Sequence, residues 1–214
     1  MKQMAKSSYM DNDPLDILLC ELPASPTADE CRDSLRQLPE WRRQKAEAFV
    51  RSTDQLQCAK AYGLLCQLLE RRVGRPVAPR FGYGKHGKPF LPDWPQLHFN
   101  LSHCSRAVMC VVDDAPVGCD VEEIPSQVDD GVLGYCFSPE ERELIMSASS
   151  PAVEFTRWWT RKEALLKMCG VGLVDWLPSL MSSPLAQGAR FATEVRDGYV
   201  YTICRAPRPG AEAR

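Results

Sequence analysis

The stretch Val117-Gly118-Cys119-Asp120-Val121-Glu122-Glu123-Ile124 decides how the rest of the chain is read. Its apolar, β-branched character suits a strand, and on a strand side chains two apart share a face. Asp120 and Glu122 then point one way while Val121 and Glu123 point the other. Two like charges that close repel each other. The pair is tolerable where it meets water, where one carboxyl keeps its proton, or where a cation lies between the two. An Asp-x-Glu pattern alone leaves all three open, because exposed edge strands carry it too.

With 214 residues, 44% of them hydrophobic, the chain can form one large domain or two small lobes with filled cores. Its apolar runs are short and broken by charges, and Met1-Lys2-Gln3-Met4-Ala5-Lys6 lacks the apolar region of a secretion signal. A soluble, cytoplasmic protein with no membrane partner is therefore expected. Ten cysteines lie in element-like stretches without a Cys-x-x-Cys pair, the pattern of buried thiols rather than of a disulfide framework or a zinc site. Net charge is only −2, yet residues 42–88 hold 11 Lys and Arg against 3 acids, and residues 113–143 hold 10 acids against 1 Arg. A basic block suits phosphates and an acidic one a divalent cation, although two solvated faces that attract each other give the same pattern. The basic block lacks the aromatic interleaving and the motifs of nucleic-acid binders, so no nucleic acid partner is expected.

Along the chain, the first ten or so residues are expected to be disordered and residues 15–22 to form a strand. Thr27 and Glu30 form a capping box for a helix to about Leu38. Residues 39–51 read as a second helix with Arg42 and Lys45 on a basic face. Residues 54–73 read as a third, with Leu64, Leu65, Leu68 and Leu69 apolar. Residues 80–95, with Gly87-Lys88-Pro89, are expected to be an irregular loop. Residues 97–103 and 106–112 alternate as strands, and Asp113-Asp114-Ala115-Pro116 turns into the acidic strand. Ser138-Pro139-Glu140-Glu141 opens a helix, and a longer helix spans 152–168 and closes at Gly170. Residues 190–195 and 199–204 read as a hairpin around Asp197-Gly198, with a loose tail from Ala206.

On the long helix Trp159, Glu163 and Lys167 recur four apart and share a face, with Lys162 beside Glu163. Taken alone they read as an exposed Glu–Lys pair of small energetic weight. In order and spacing, however, the motifs resemble the 4′-phosphopantetheinyl transferases. These motifs are Gly87-Lys88-Pro89, Phe99-Asn100-Leu101-Ser102-His103, the acidic strand to Glu122, Phe137-Ser138, and Trp159-Thr160-Arg161-Lys162-Glu163-Ala164 with Lys167 and Gly170-Val171-Gly172-Leu173. The resemblance covers roughly residues 42–173. It is to the larger, single-chain type that primes polyketide, nonribosomal peptide and sometimes fatty acid synthases.

That resemblance implies an α+β fold of two similar α/β lobes forming a pseudo-dimer, with the active site in the cleft between them. The N-terminal lobe would be residues 1–105, with the coenzyme A phosphate-binding elements. The C-terminal lobe would be residues 106–214, with the metal-binding strand and the catalytic helix, and the chain would be a monomer. The implied reaction moves the phosphopantetheine arm of coenzyme A to a serine of an apo acyl or peptidyl carrier protein and releases 3′,5′-ADP. The family's magnesium ligands map onto Asp120, Glu122 and Glu163, hard oxygen donors of the kind that ion prefers. Glu163 maps onto the base, directly or through a metal-bound water. Lys167 maps onto the group facing the leaving diphosphate, and Asp120 onto a further catalytic position. Coenzyme A contacts map onto Arg42, Lys45, Lys88, Ser102, His103, Lys162 and Lys167. Glu141 falls where some relatives hold a further carboxylate and reads equally as a capping glutamate. Gln57 stands where relatives carry an arginine, with Lys60 one turn on as its candidate replacement. Two rival classes share these residues: a metal-dependent pyrophosphohydrolase of coenzyme A or nucleotides, and a non-enzymatic coenzyme A or carrier-binding module. Glu123 has no part that any motif assigns.

Overall fold

The strands read at 15–22 and 106–112 lie side by side. A computed structural model describes residues 15–172 and 174–207. In chain order these form β1 (Asp16–Glu21), α1 (Ala28–Arg36), α2 (Glu40–Glu47), α3 (Ser52–Val73), β2 (Gly82–Tyr83), β3 (Pro89–Phe90), β4 (His98–His103), β5 (Ala107–Asp113), β6 (Val117–Glu123), α4 (Asp130–Cys136), α5 (Pro139–Ser147), α6 (Pro151–Cys169), β7 (Arg190–Arg196) and β8 (Tyr199–Arg205). Two 3-10 segments, Leu177–Ser182 and Pro184–Ala186, lead from α6 to β7. The expected disorder of the first residues, the tail beyond Pro207, and Leu173 of the glycine motif lie outside the described residues.

Local chemistry sets the helix ends. Thr27 with Glu30 and Ser138 with Glu141 close capping boxes, and Gly74 and Gly170 end α3 and α6 in the left-handed region that costs glycine nothing. The second helix stops at Glu47 rather than residue 51, because Phe49 and Val50 beyond it face solvent and have no core to join. The 80–95 loop holds a short ladder: β2 and β3 pair, with Gly87 at φ 80° in the turn between them. The helix α4 has no counterpart in the sequence reading, since its seven residues include Gly131 and Gly134 and are too few to show a period.

Two three-stranded antiparallel sheets follow, in the orders β1-β5-β4 and β6-β8-β7. Strand β5 is hydrogen-bonded along its length to β1 on one edge and β4 on the other. A division between residues 105 and 106 would cut those ladders. The change of sheet falls in the turn Asp114-Ala115-Pro116. Leu64, Leu65, Leu68 and Leu69 of α3 cover the outer face of the first sheet. The inner faces meet through Leu19, Met109 and Val111 against Val117, Cys119, Val121 and Ile203. On the outer side of the second sheet α6 brings Ala164, Leu165 and Met168 against Cys204, with Phe137 and Ile145 of the α4–α5 region. The α+β class is as expected.

Where the sheets adjoin, β4 and β6 are joined by side chains rather than by a backbone ladder. Asn100 Oδ1 accepts the Cys119 N–H at 2.9 Å and Ser102 Oγ accepts the Val121 N–H at 3.3 Å. Ion pairs pin both ends of this seam. Buried Asp113 holds Arg205 at 2.6 Å, and Glu123 takes Arg106 at 3.1 Å together with the Ser105 hydroxyl. Glu123 thus ties the β4–β5 turn to β6. All ten cysteines are free thiols, with Cys66, Cys104 and Cys169 partly exposed and the other seven buried. Among the described residues no helix is long and apolar enough to cross a membrane.

Candidate active site

Alternate residues of β6 face α6. With Val117, Cys119 and Val121 in the core between the sheets, Gly118, Asp120 and Glu122 are left toward the helix. A Cβ on Gly118 would overlap the Ala164 carbonyl and the Met168 amide, so α6 lies directly on the strand backbone. Two residues on, Asp120 is 1% exposed and takes Lys167 Nζ at 2.5 Å and the Ser102 hydroxyl at 2.9 Å, both on Oδ1. Glu122, next on that face, accepts a hydrogen bond from the Trp159 side chain. The recurrence of Trp159, Glu163 and Lys167 becomes one helix face turned to one strand face.

The electrostatics follow from this crowding. Burial, then the Asp120 charge, pushes Glu122 up to about 7, with Glu163 adding to the effect. Burial and Asp120 likewise raise Glu163. Burial works against the charge of Lys167, but Asp120 beside it outweighs this and holds the ammonium above its ordinary pKa. Asp120 Oδ2 and Glu163 Oε1 are both buried without a hydrogen-bond partner. Such an atom costs about 1–3 kcal/mol or more when charged. The expected ligands Asp120, Glu122 and Glu163 are electrostatic neighbours, yet among the described residues no three His, Cys, Asp or Glu side chains gather into a metal-ion site. The positive charge at Asp120 is that of Lys167. A pocket of about 320 Å³ opens beside them, lined by His86, Lys88, Asn100, Glu163 and Lys167 among others.

A family model described as the 4′-phosphopantetheinyl transferase superfamily matches residues 116–203, which hold β6 and α6. The 4′-phosphopantetheinyl transferase of Bacillus subtilis is 34% identical over 145 residues, 66% of this chain and 58% of that protein. Sfp of Bacillus subtilis strain 168, another 4′-phosphopantetheinyl transferase, is 31% identical over 121 residues, 56% of this chain and 54% of its own. The 4′-phosphopantetheinyl transferase AcpT of Salmonella typhimurium is 33% identical over 133 residues, 58% of this chain and 69% of its own. This chain belongs to the 4′-phosphopantetheinyl transferase superfamily. The match spans little more than half the length of the first two relatives.

The other residues expected of a phosphopantetheinyl transferase site are placed unequally. Lys88 lines the pocket, with Nζ donating to the carbonyls of Val117 at 3.1 Å and Met168 at 2.8 Å. Burial lowers its pKa. His103 is exposed at the end of β4, its imidazole held below the ordinary pKa by the surrounding protein and by Lys167. Arg42 lies over the Tyr62 ring at 5.5 Å with a buried, unpartnered Nε, and Lys45 is exposed on the same helix; neither lines this pocket.

Lys162 does not line this pocket. Fully buried, it donates to Glu141 at 2.7 Å and to the carbonyls of Cys136 at 2.9 Å and Leu177 at 2.6 Å, which uses all three N–H groups and leaves none for a ligand. Glu141 serves both the capping box and this buried pair. Gln57 is buried and donates to the Cys104 carbonyl at 2.9 Å, while Lys60 opens onto pockets beside Cys20 and Gln37, away from Asp120. Asn100 went unassigned in the sequence. The signal was present, since Asn100 and Ser102 are polar residues two apart on a strand whose neighbours Phe99 and Leu101 are apolar.

Proposed function

We propose that this chain is a magnesium-dependent transferase that moves the 4′-phosphopantetheine group of coenzyme A to a serine of an apo carrier protein or carrier domain, with release of 3′,5′-ADP. The observation that carries the reading is the pair of buried, partnerless oxygens, Asp120 Oδ2 and Glu163 Oε1, with Asp120 bound to Lys167 and both Glu163 and Lys167 lining the pocket. Orphaned carboxylate oxygens and a Glu122 raised by burial and by the Asp120 charge fit a hard divalent cation, which Asp120, Glu122 and Glu163 would hold. When bound, it would neutralise charge developing on the pyrophosphate.

Glu163, with its raised pKa, suits a base that takes the proton from the carrier's serine. The serine Oγ then bonds to the phosphorus bearing the pantetheine arm, and the P–O bond to the second phosphate breaks. The electron pair leaves with 3′,5′-ADP. Lys167 has one N–H beyond those given to Asp120 and Ser102, and we assign it to the 5′-phosphate of the leaving 3′,5′-ADP. Lys88 is assigned to a phosphate at the pocket, His103, which lines a separate pocket with Arg51 and Asp54, to a phosphate beyond it, and Arg42 and Lys45 to the 3′-phosphate.

Each sheet with its covering helix, α3 or α6, supports reading the halves as similar lobes of a pseudo-dimer, with the site between β4 and β6. We further read the protein as a cytoplasmic monomer that primes polyketide or nonribosomal peptide carriers. One assay tests the chemistry: coenzyme A, magnesium and an apo carrier are incubated with the protein, and the carrier is weighed by mass spectrometry. A gain of one phosphopantetheine supports transfer. Coenzyme A cleavage without any carrier points to the hydrolase, and binding without reaction to the module.

A further inference from the structure

We infer that Ser102 is a positioning residue for Asp120 rather than a ligand of the coenzyme A phosphates; the inference rests on the transferase reading above. A serine hydroxyl has one proton to donate and two lone pairs to offer. In this protein all three are committed. Ser102 Oγ donates to Asp120 Oδ1 at 2.9 Å and accepts from the Val121 N–H at 3.3 Å and from Lys167 Nζ at 3.1 Å, in a side chain only 6% exposed. A phosphate oxygen can only accept, so to meet one Ser102 must withdraw its single proton from Asp120.

The same bonds determine how Asp120 is presented. Ser102 and Lys167 both bind Oδ1, which leaves Oδ2 bare and fixes which oxygen the carboxylate offers to an incoming cation. Asn100, two residues earlier on β4, holds the backbone beside it through the Cys119 N–H. With no ladder between β4 and β6, these two side chains set the register of the two strands and so of Ser102 against Asp120.

The test uses the full chain with Ser102→Ala and Ser102→Thr. Wild type must first load an apo carrier; if it does not, the transferase reading itself fails. Given loading, Ser102→Ala is expected to lower kcat by about tenfold or more while the coenzyme A dissociation constant, measured by calorimetry in EDTA, stays within about twofold. The half-saturating magnesium concentration should rise severalfold, and Ser102→Thr, which keeps the hydroxyl, should recover most of kcat. Weaker coenzyme A binding in EDTA with an unchanged kcat would make Ser102 a phosphate ligand and overturn the inference. An unchanged kcat with unchanged affinity would overturn it as well. Should Ser102→Ala not fold, as judged by circular dichroism, Ser102→Cys carries the same expectations with its poorer donor.

Discussion

The two oxygens of Asp120 meet unlike surroundings, one bonded twice and the other not at all. That asymmetry makes Asp120 and Glu163 the residues on which activity should turn. Asp120→Asn and Glu163→Gln keep shape and fold, and each is expected to lower carrier loading by about 10² or more, followed by carrier mass over time. The meeting of the two faces was implied only by the family resemblance, but that Asp120 and Glu122 share a strand face and Glu163 and Lys167 a helix face was legible, because periods of two and four are properties of backbone geometry. The role of Lys162 was not, because adjacency in sequence says little about direction on a helix: Lys162 points into the interior while Glu163 points to the pocket. Lys162→Met leaves Glu141 charged and alone in that interior, an expected loss of about 3–5 kcal/mol. Adding Glu141→Leu should return much of the stability in a denaturant titration, since both charges are then gone.

At the scale of elements, the site depends on how closely α6 rests on β6. Gly118→Ala places a methyl against helix backbone, which cannot rotate away as a side chain could. A loss of at least about 2 kcal/mol is expected, read as a lower melting temperature, and the displaced helix should carry Glu163 and Lys167 from Asp120 and reduce loading too. The helices with capping boxes and glycine stops were readable because those signals are local. Helix α4 was not, for Asp129 caps it but two glycines within seven residues hide any apolar period. Its Leu133 and Cys136 are held by packing against the core around α6, a tertiary cause that no local pattern records.

For the whole molecule, two sheets were foreseen, and the chain passes from one to the other at residues 114–116. Residues 104–106 and 114–116 both turn the chain between strands, and only the pairing of β5 with β1, about ninety residues earlier, tells which one ends the sheet. The cysteines were read correctly as thiols. With no disulfide among the ten, the melting temperature is expected to be the same with and without a reductant.

The side-chain seam between the sheets has a consequence for amide hydrogen exchange. The N–H groups of Cys119 and Val121 donate across the seam to Asn100 and Ser102, while β6 pairs with β8 on its other edge. They should exchange whenever the halves part, ahead of the unfolding of either sheet. In Ser102→Ala the Val121 amide should quicken selectively, so two backbone protons would serve as a gauge of how often the molecule opens where coenzyme A is expected to bind.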